Sequence, residues 1–63
     1  MTHEQELWAC ALAIEREHGR AAFLHASMEA DRFYAEGRHE AALVWREVLK
    51  RIEELDARKL ALQ

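Results

Sequence analysis

Apolar residues recur along the sequence at intervals of three and four, which is the period of an α-helix with one buried face. No segment alternates β-branched and polar residues as a half-buried strand does, and the helix formers Ala, Glu, Leu and Arg dominate. Glycine occurs only at Gly19 and Gly37, where its left-handed backbone conformation ends a helix at little cost. The sequence therefore predicts three helices, over about 3–18, 20–36 and 38–60.

The breaks between these helices are only one or two residues long, which favours consecutive helices that lie side by side and antiparallel. The predicted fold is all-α: a single domain over 1–63, built as a small three-helix bundle with up-down-up topology. The third helix is the longest, so we expect its carboxyl-terminal end to project beyond the other two.

The first helix carries a start signal. The Thr2 hydroxyl is placed to accept the backbone N–H of Gln5, and the Gln5 side chain to reach back to Thr2, which together form a capping box. Leu7, Ala11 and Ile14 fall on one face of the helix and are predicted to be buried.

The second and third helices each show a candidate buried stripe. In the second helix, the small side chains of Ala26 and Ala30 would let a neighbouring helix approach closely, and no residue suited to cap its start precedes it. The predicted stripe of the second helix consists of Phe23, Ala26, Ala30 and Phe33. The heptad-like seam of the third helix consists of Trp45, Val48, Ile52, Leu55 and Leu62. Acid–base pairs four residues apart are predicted on its outer face: Glu47 with Arg51, Lys50 with Glu54, and Glu54 with Arg58.

Composition narrows the class of protein. Of the 63 residues, 51% are hydrophobic and 33% are charged, a balance that argues against a disordered chain. The longest apolar run falls far short of a membrane span, and the acidic amino-terminal residues do not resemble a secretory signal. Cys10 is the sole cysteine, so an internal disulfide cannot form and a reducing, cytoplasmic location is expected.

Two Glu-x-x-His segments, at Glu15 and His18 and at Glu36 and His39, have the spacing of di-metal carboxylate bundles. The second segment crosses the predicted helix break, and a bundle of this size has little interior for two metals. Charged surface positions explain both segments equally well, so we predict no metal and no other cofactor.

Cys10 together with His3 or His18 has the residue types of a nucleophile and its base. Its position in the middle of an apolar helical stretch instead predicts a buried, structural thiol, because burial suppresses the reactive thiolate. The sequence contains no glycine-rich phosphate loop and no serine-centred elbow. We therefore expect that the protein is not an enzyme and has no small-molecule substrate.

Basic residues of the third helix, among them Arg46, Lys50 and Arg51, suggest a nucleic-acid-binding regulator as an alternative function. Acidic residues are interleaved with them, and the net charge is −3, which disfavours a polyanionic partner. Nucleic acid is therefore the less favoured partner.

Large apolar residues are more numerous than the core of so short a chain requires. Trp8 and Trp45 either fill the centre of the bundle or leave one ring exposed. The leading hypothesis is a small protein-interaction module: an adaptor, regulator or inhibitor of a larger bacterial or phage-encoded assembly, acting through an apolar helical ridge on a protein partner or on itself as a homodimer. The candidate anchors are Trp45, Leu49, Ile52 and Leu55, and the candidate rim charges are Arg46, Lys50 and Arg51.

Two blocks of sequence carry a resemblance to a known family. Residues 6–12 read E-L-W-A-C-A-L, followed by the charged turn ending in His18 and Gly19, and residues 45–47 read W-R-E. This pattern resembles a family of short bacterial proteins, mainly alphaproteobacterial, of unknown function. The resemblance implies a helical domain and supplies no catalytic residue. Residues 33–42 are also similar to the turn of tetratricopeptide-type and microtubule-interacting-type hairpins, which implies a helical hairpin.

Overall fold

The computed structural model describes residues 2–61, and within them it contains helices and short connections but no β-strand. The helices are α1 (His3–His18), α2 (Ala22–Ala35) and α3 (His39–Ala61), and a 3₁₀ turn covers Gly19–Ala21. The predicted all-α class is confirmed, and α3 is the longest helix with 23 residues.

The prediction of three separate helices needs correction. Helical structure continues without a gap from residue 3 to residue 35, so the described part of the chain contains two continuous helical stretches, 3–35 and 39–61. The α-helical part of the second helix begins at Ala22, two residues after the predicted start, and no side chain among residues 2–61 caps it. The backbone instead tightens into the 3₁₀ turn, in which the N–H of Ala22 is donated to the carbonyl of Gly19.

The start of α1 agrees with its predicted cap. The N–H of Gln5 donates to Thr2 Oγ1 at 3.1 Å, and the N–H of Thr2 donates to Gln5 Oε1 at 2.9 Å. The cap therefore satisfies two backbone N–H groups that the first turn of a helix leaves without partners.

The break after α2 is complete because Gly37 adopts a φ of 80°. The N–H of Gly37 donates to the carbonyl of Tyr34 at 3.0 Å, and that of Arg38 donates to the carbonyl of Phe33 at 2.9 Å. These two bonds form a Schellman motif, which reverses the chain so that α3 returns along α2.

The core lies where the three helices meet, and alanine makes up most of it. Leu7 and Ala11 enter it from α1, Ala22 and Ala26 from α2, and Val48 and Ile52 from α3. The buried stripe of α2 has a spacing of four residues through Ala22, Ala26 and Ala30. Phe23, which was predicted to belong to that stripe, is 41% exposed, because the close approach of the helices leaves room only for methyl groups.

Two ion pairs and one histidine–carboxylate contact connect α1 to α3. Arg51 Nη2 lies 2.5 Å from Glu4 Oε2, and Lys59 Nζ lies 2.9 Å from Glu15 Oε2. The His3 ring lies 3.3 Å from Glu47. Of the pairs predicted along α3, that between Glu54 and Arg58 forms at 3.5 Å, whereas Arg51 turns to α1. The predicted seam residue Leu62 lies outside the described residues.

Candidate interaction surface

Large apolar side chains are divided between the core and the surface, and small ones make up much of the buried set. Among residues 2–61, five of the eight buried core residues are alanines, and only Leu7, Val48 and Ile52 bring larger side chains. In the same part of the chain, eight large apolar residues are 41–72% exposed: Leu12, Phe23, Leu24, Met28, Tyr34, Leu43, Val44 and Leu60. Scattered exposed apolar residues are normal, so the informative question is whether they share a face.

The clearest shared face lies on α2. Leu24 is 60% exposed and Met28 is 61% exposed. Each is two residues from the buried Ala26, and two residues rotate a helix by about 200°, which places both side chains on the side away from the core. Asp31 and Ala35 follow at the same helical period and are also exposed. We call Leu24, Met28, Asp31 and Ala35 the outer face of α2.

A second feature lies beside the turn between α2 and α3. A shallow cavity of about 180 Å³ is lined by Tyr34, His39, Ala42, Leu43 and Arg46. The rings of Tyr34 and His39 are stacked with centroids 4.9 Å apart, and the Arg46 guanidinium lies 5.6 Å from the Tyr34 centroid. The cavity therefore has an aromatic wall formed by Tyr34 and His39 and a basic rim formed by Arg46.

The predicted anchors of α3 lie together, but they face the core. Ile52 is fully buried, and Trp45, Leu49 and Leu55 are partly buried against the core cluster. Trp45, Leu49 and Leu55 each keep part of their surface exposed, so the ridge of these four residues is only partly open to solvent. In this conformation Ile52 offers no surface for a partner to contact.

The predicted rim charges divide between solvent and internal pairs. Lys50 is exposed, and Arg46 lies over Tyr34. The Arg51 side chain is only 18% exposed, since it pairs with Glu4 and also donates to the carbonyl of Glu47 at 3.1 Å. Arg51 therefore stabilises the contact between α1 and α3.

Both tryptophans are partly buried, so neither ring is completely enclosed and neither is fully exposed. Trp8 is half-buried beneath the Arg58 guanidinium, which lies 5.8 Å from its ring centroid. Trp45 packs edge-on against His25 with ring centroids 5.8 Å apart, and His25 stacks on His18 at 4.0 Å. The stacked rings of His18 and His25 connect α1 to α2, and Trp45 connects this pair to α3.

The titratable group with the most unusual surroundings is Glu15. The hydrogen bond from Lys59 lowers the pKa of Glu15, and the same contact raises the pKa of Lys59. Beside them, the Glu15 carboxylate raises the pKa of Asp56. Glu15 Oε1 is buried and has no hydrogen-bond partner among residues 2–61. The contacts of Glu15 with Lys59 and Asp56 hold α1 against the carboxyl-terminal half of α3.

The two Glu-x-x-His segments are used in other contacts. Glu15 pairs with Lys59 while His18 stacks on His25. Glu36 lies 3.3 Å from Arg32, and His39 stacks on Tyr34. Within the described residues, no three side chains of the metal-binding types come together as a metal site.

Cys10 is exposed, which corrects the prediction of a buried thiol. The face of α1 that packs on the core contains Leu7 and Ala11, and Cys10 falls beside that face instead of within it. An apolar run along a helix contains residues from all of its faces, so the run by itself did not indicate burial.

The sequence pattern did not identify the outer face of α2, because it placed the buried stripe on Phe23, Ala26, Ala30 and Phe33 and the candidate ridge on α3. One signal could have found it: the three alanines spaced four residues apart at Ala22, Ala26 and Ala30 are typical of a closely packed helix contact. If that stripe is the buried one, Leu24 and Met28 must lie opposite to it.

Comparison with known families matches residues 3–60 to a family of unknown function, DUF6961. No curated protein and no solved structure matches the chain. This family match confirms that the chain resembles a family of unknown function. Within residues 2–61, no helix has both the length and the apolar character needed to cross a membrane.

Proposed function

Since the chain belongs to the family of unknown function DUF6961, its role has to be inferred from its own surface, and we propose that it is a small protein-interaction module. It serves as an adaptor, regulator or inhibitor of a larger bacterial or phage-encoded assembly and binds through the outer face of α2. The observation that supports this proposal is the exposure of Leu24 and Met28 opposite a core built largely of alanine.

The chemistry of this face suits a helical or groove-shaped protein partner. Leu24 and Met28 lie one helical turn apart, and side chains with this spacing are the anchors of a helix that binds in an apolar groove. The unbranched Met28 side chain adapts readily to the shape of a partner. Large apolar side chains that shed water on binding commonly supply most of the affinity of such an interface.

We also propose the up-down-up topology as the scaffold that presents this face. The partners of His3, Glu4 and Glu15 on α3 are Glu47, Arg51 and Lys59, so their residue numbers rise together along α1 and α3. That order supports parallel α1 and α3 with α2 running against both. In this arrangement the core-facing Trp45, Leu49, Ile52 and Leu55 support α2 from beneath, and the exposed Arg46 and Lys50 contribute rim charges.

The alternative function, a nucleic-acid-binding regulator, has less support from the positions of the basic residues. Arg51 is paired with Glu4, and Arg58 with Glu54. An origin in alphaproteobacteria and a cytoplasmic location are part of the proposal because the resembling family and the lone cysteine suggest them.

Capture from a bacterial lysate with the immobilised full chain tests the proposed function. Leu24→Asp is compared with Leu12→Asp, a matched control that places the same charge at an exposed leucine of α1. We expect partners held by the wild-type chain and by Leu12→Asp to be lost from Leu24→Asp. Circular dichroism verifies that both variants are folded. Equal capture by both variants would contradict the assignment of binding to α2, and a low-salt titration with duplex DNA tests the alternative.

A further inference from the structure

We propose that the outer face of α2 binds a second copy of this chain, with the two α2 helices antiparallel about a two-fold axis at the level of Ala26. The proposal rests on the proposed function and names the partner. It is carried by the arrangement of charge and apolar surface along α2, which is complementary to itself when one copy is reversed.

The apolar part of the face is symmetric about Ala26. Leu24 lies two residues before it and Met28 two residues after it, both with about three fifths of their surface exposed. When one helix is reversed, Leu24 of each copy faces Met28 of the other. Two leucine–methionine contacts then form at a separation of one helical turn, the ridge spacing with which helices pack.

The charges at the two ends of this face have opposite signs. Arg20 lies in the 3₁₀ turn before Leu24, and Asp31 lies one turn after Met28. Both are exposed, and among residues 2–61 neither has an oppositely charged group within 4.0 Å. The neighbouring Arg32, in contrast, is already paired with Glu29 at 2.5 Å and with Glu36 at 3.3 Å.

An antiparallel pair brings these charges together. Arg20 is six residues from the level of Ala26 on one side and Asp31 is five residues from it on the other. Because the 3₁₀ turn that holds Arg20 rises about 2.0 Å per residue and α2 about 1.5 Å, Arg20 of one copy and Asp31 of the other differ in height by about 2.5 Å, which an arginine side chain easily spans. A parallel pair would place arginine against arginine and aspartate against aspartate, so the charges select the antiparallel arrangement.

A contact limited to one helix from each copy is small, so we expect a weak, concentration-dependent dimer and not an obligate one. The core of each copy is complete without the contact, because Leu7, Val48 and Ile52 are buried within the single chain. Dissociation therefore leaves two folded monomers.

Sedimentation velocity of the full chain over a hundredfold range of concentration tests the proposal with four variants. Arg20→Asp and Asp31→Arg should each raise the dissociation constant by about three- to tenfold, because each places like charges together. The double variant carrying both changes restores opposite charges and should return the constant to within about twofold of wild type. Leu24→Asp should abolish the dimer, and Leu12→Asp should leave it unchanged.

Rescue by the double variant supports the antiparallel pair. A wild-type chain that stays monomeric throughout, a dimer that survives Leu24→Asp, or a double variant weaker than either single variant would overturn it. Failure here is distinguishable from failure of the proposed function, because selective loss of lysate partners from Leu24→Asp would still support binding of a different protein by the same face.

Discussion

The outward sides of α1 and α2 differ although both helices pack on the same core. On α1, the residues opposite Leu7 and Ala11 are small or charged, such as Ala9, Ala13 and Arg16, with Leu12 at the edge. On α2, the corresponding side carries Leu24 and Met28. The contact of α1 with α3 is completed by ion pairs inside the chain, whereas the outer face of α2 is left open. The difference teaches that helices packed on one core can leave outward sides of different character, and that only the outer face of α2 presents two large apolar side chains one turn apart.

Replacing Ile52 with Ala should have the largest effect on stability, because Ile52 is fully buried at the centre of the core. Loss of a buried isoleucine side chain costs about 2–5 kcal/mol, which approaches the whole stability of so small a domain. Urea unfolding followed by circular dichroism measures the change. Leu43→Ala is the matched control, because Leu43 is 59% exposed and should change the free energy of unfolding by less than about 0.5 kcal/mol. Equal effects would contradict the division between core and open surface.

Asp56→Asn should increase the free energy of unfolding, by less than Ile52→Ala decreases it. The pKa of Asp56 is raised by the neighbouring Glu15, so the folded state holds this proton more tightly than the unfolded state does. The contribution of Asp56 to the stability of the folded state therefore becomes less favourable as the pH rises from the ordinary aspartate pKa to the raised pKa of Asp56. Removing the charge should stabilise the protein by about 0.5 kcal/mol at neutral pH, and this gain should disappear on acidification as Asp56 protonates.

The lowered pKa of Glu15 means that its ionised carboxylate stabilises the folded state, whereas the ionised carboxylate of Asp56 destabilises it. The contribution of Glu15 is complete above the ordinary glutamate pKa and is lost as the pH falls through the lowered value. Urea unfolding of wild type and Asp56→Asn at a series of pH values separates the two groups. Asp31→Asn at low protein concentration is the control, and a pH-independent difference at Asp56 would show that Glu15 does not raise its pKa.

The smallest effect on stability is expected at Leu24 itself. Leu24→Ser should alter the free energy of unfolding by less than about 0.5 kcal/mol, because the side chain is 60% exposed and lies opposite the core. Thermal unfolding at a concentration where the chain is monomeric measures it. A loss comparable to that of Ile52→Ala would mean that Leu24 supports the fold and is not held free for binding.

Much of the fold could be predicted because short segments of the sequence determine where helices begin and end. The Thr2 and Gln5 cap and the glycine at position 37 determine their own backbone geometry, so the bounds of α1 and the end of α2 agree with prediction to within one residue. The 3₁₀ turn at Gly19–Ala21 was missed because it depends on the absence of a cap and on the packing of both flanking helices.

The candidate surface was harder to predict because periodicity identifies an apolar stripe without showing what covers it. Phe23 and Ala22 lie three and four residues before Ala26, so either could continue the buried stripe. The larger Phe23 was predicted to be buried, whereas the close helix contact buries Ala22 and leaves Phe23 exposed. Likewise, the seam of α3 through Ile52 was correctly found to be apolar, but α1 and α2 cover part of it. Which stripe stays open depends on contacts between helices, which no single segment encodes.

Site-specific photocrosslinking in living bacteria tests the central account most directly. A photoreactive phenylalanine analogue is placed at position 28, on the outer face of α2, or at position 13, on the outward side of α1. The account predicts a protein adduct, either with a second copy or with another protein, from position 28 and none from position 13. Adducts from position 13 alone, equal adducts from both positions, or none from position 28 would contradict it.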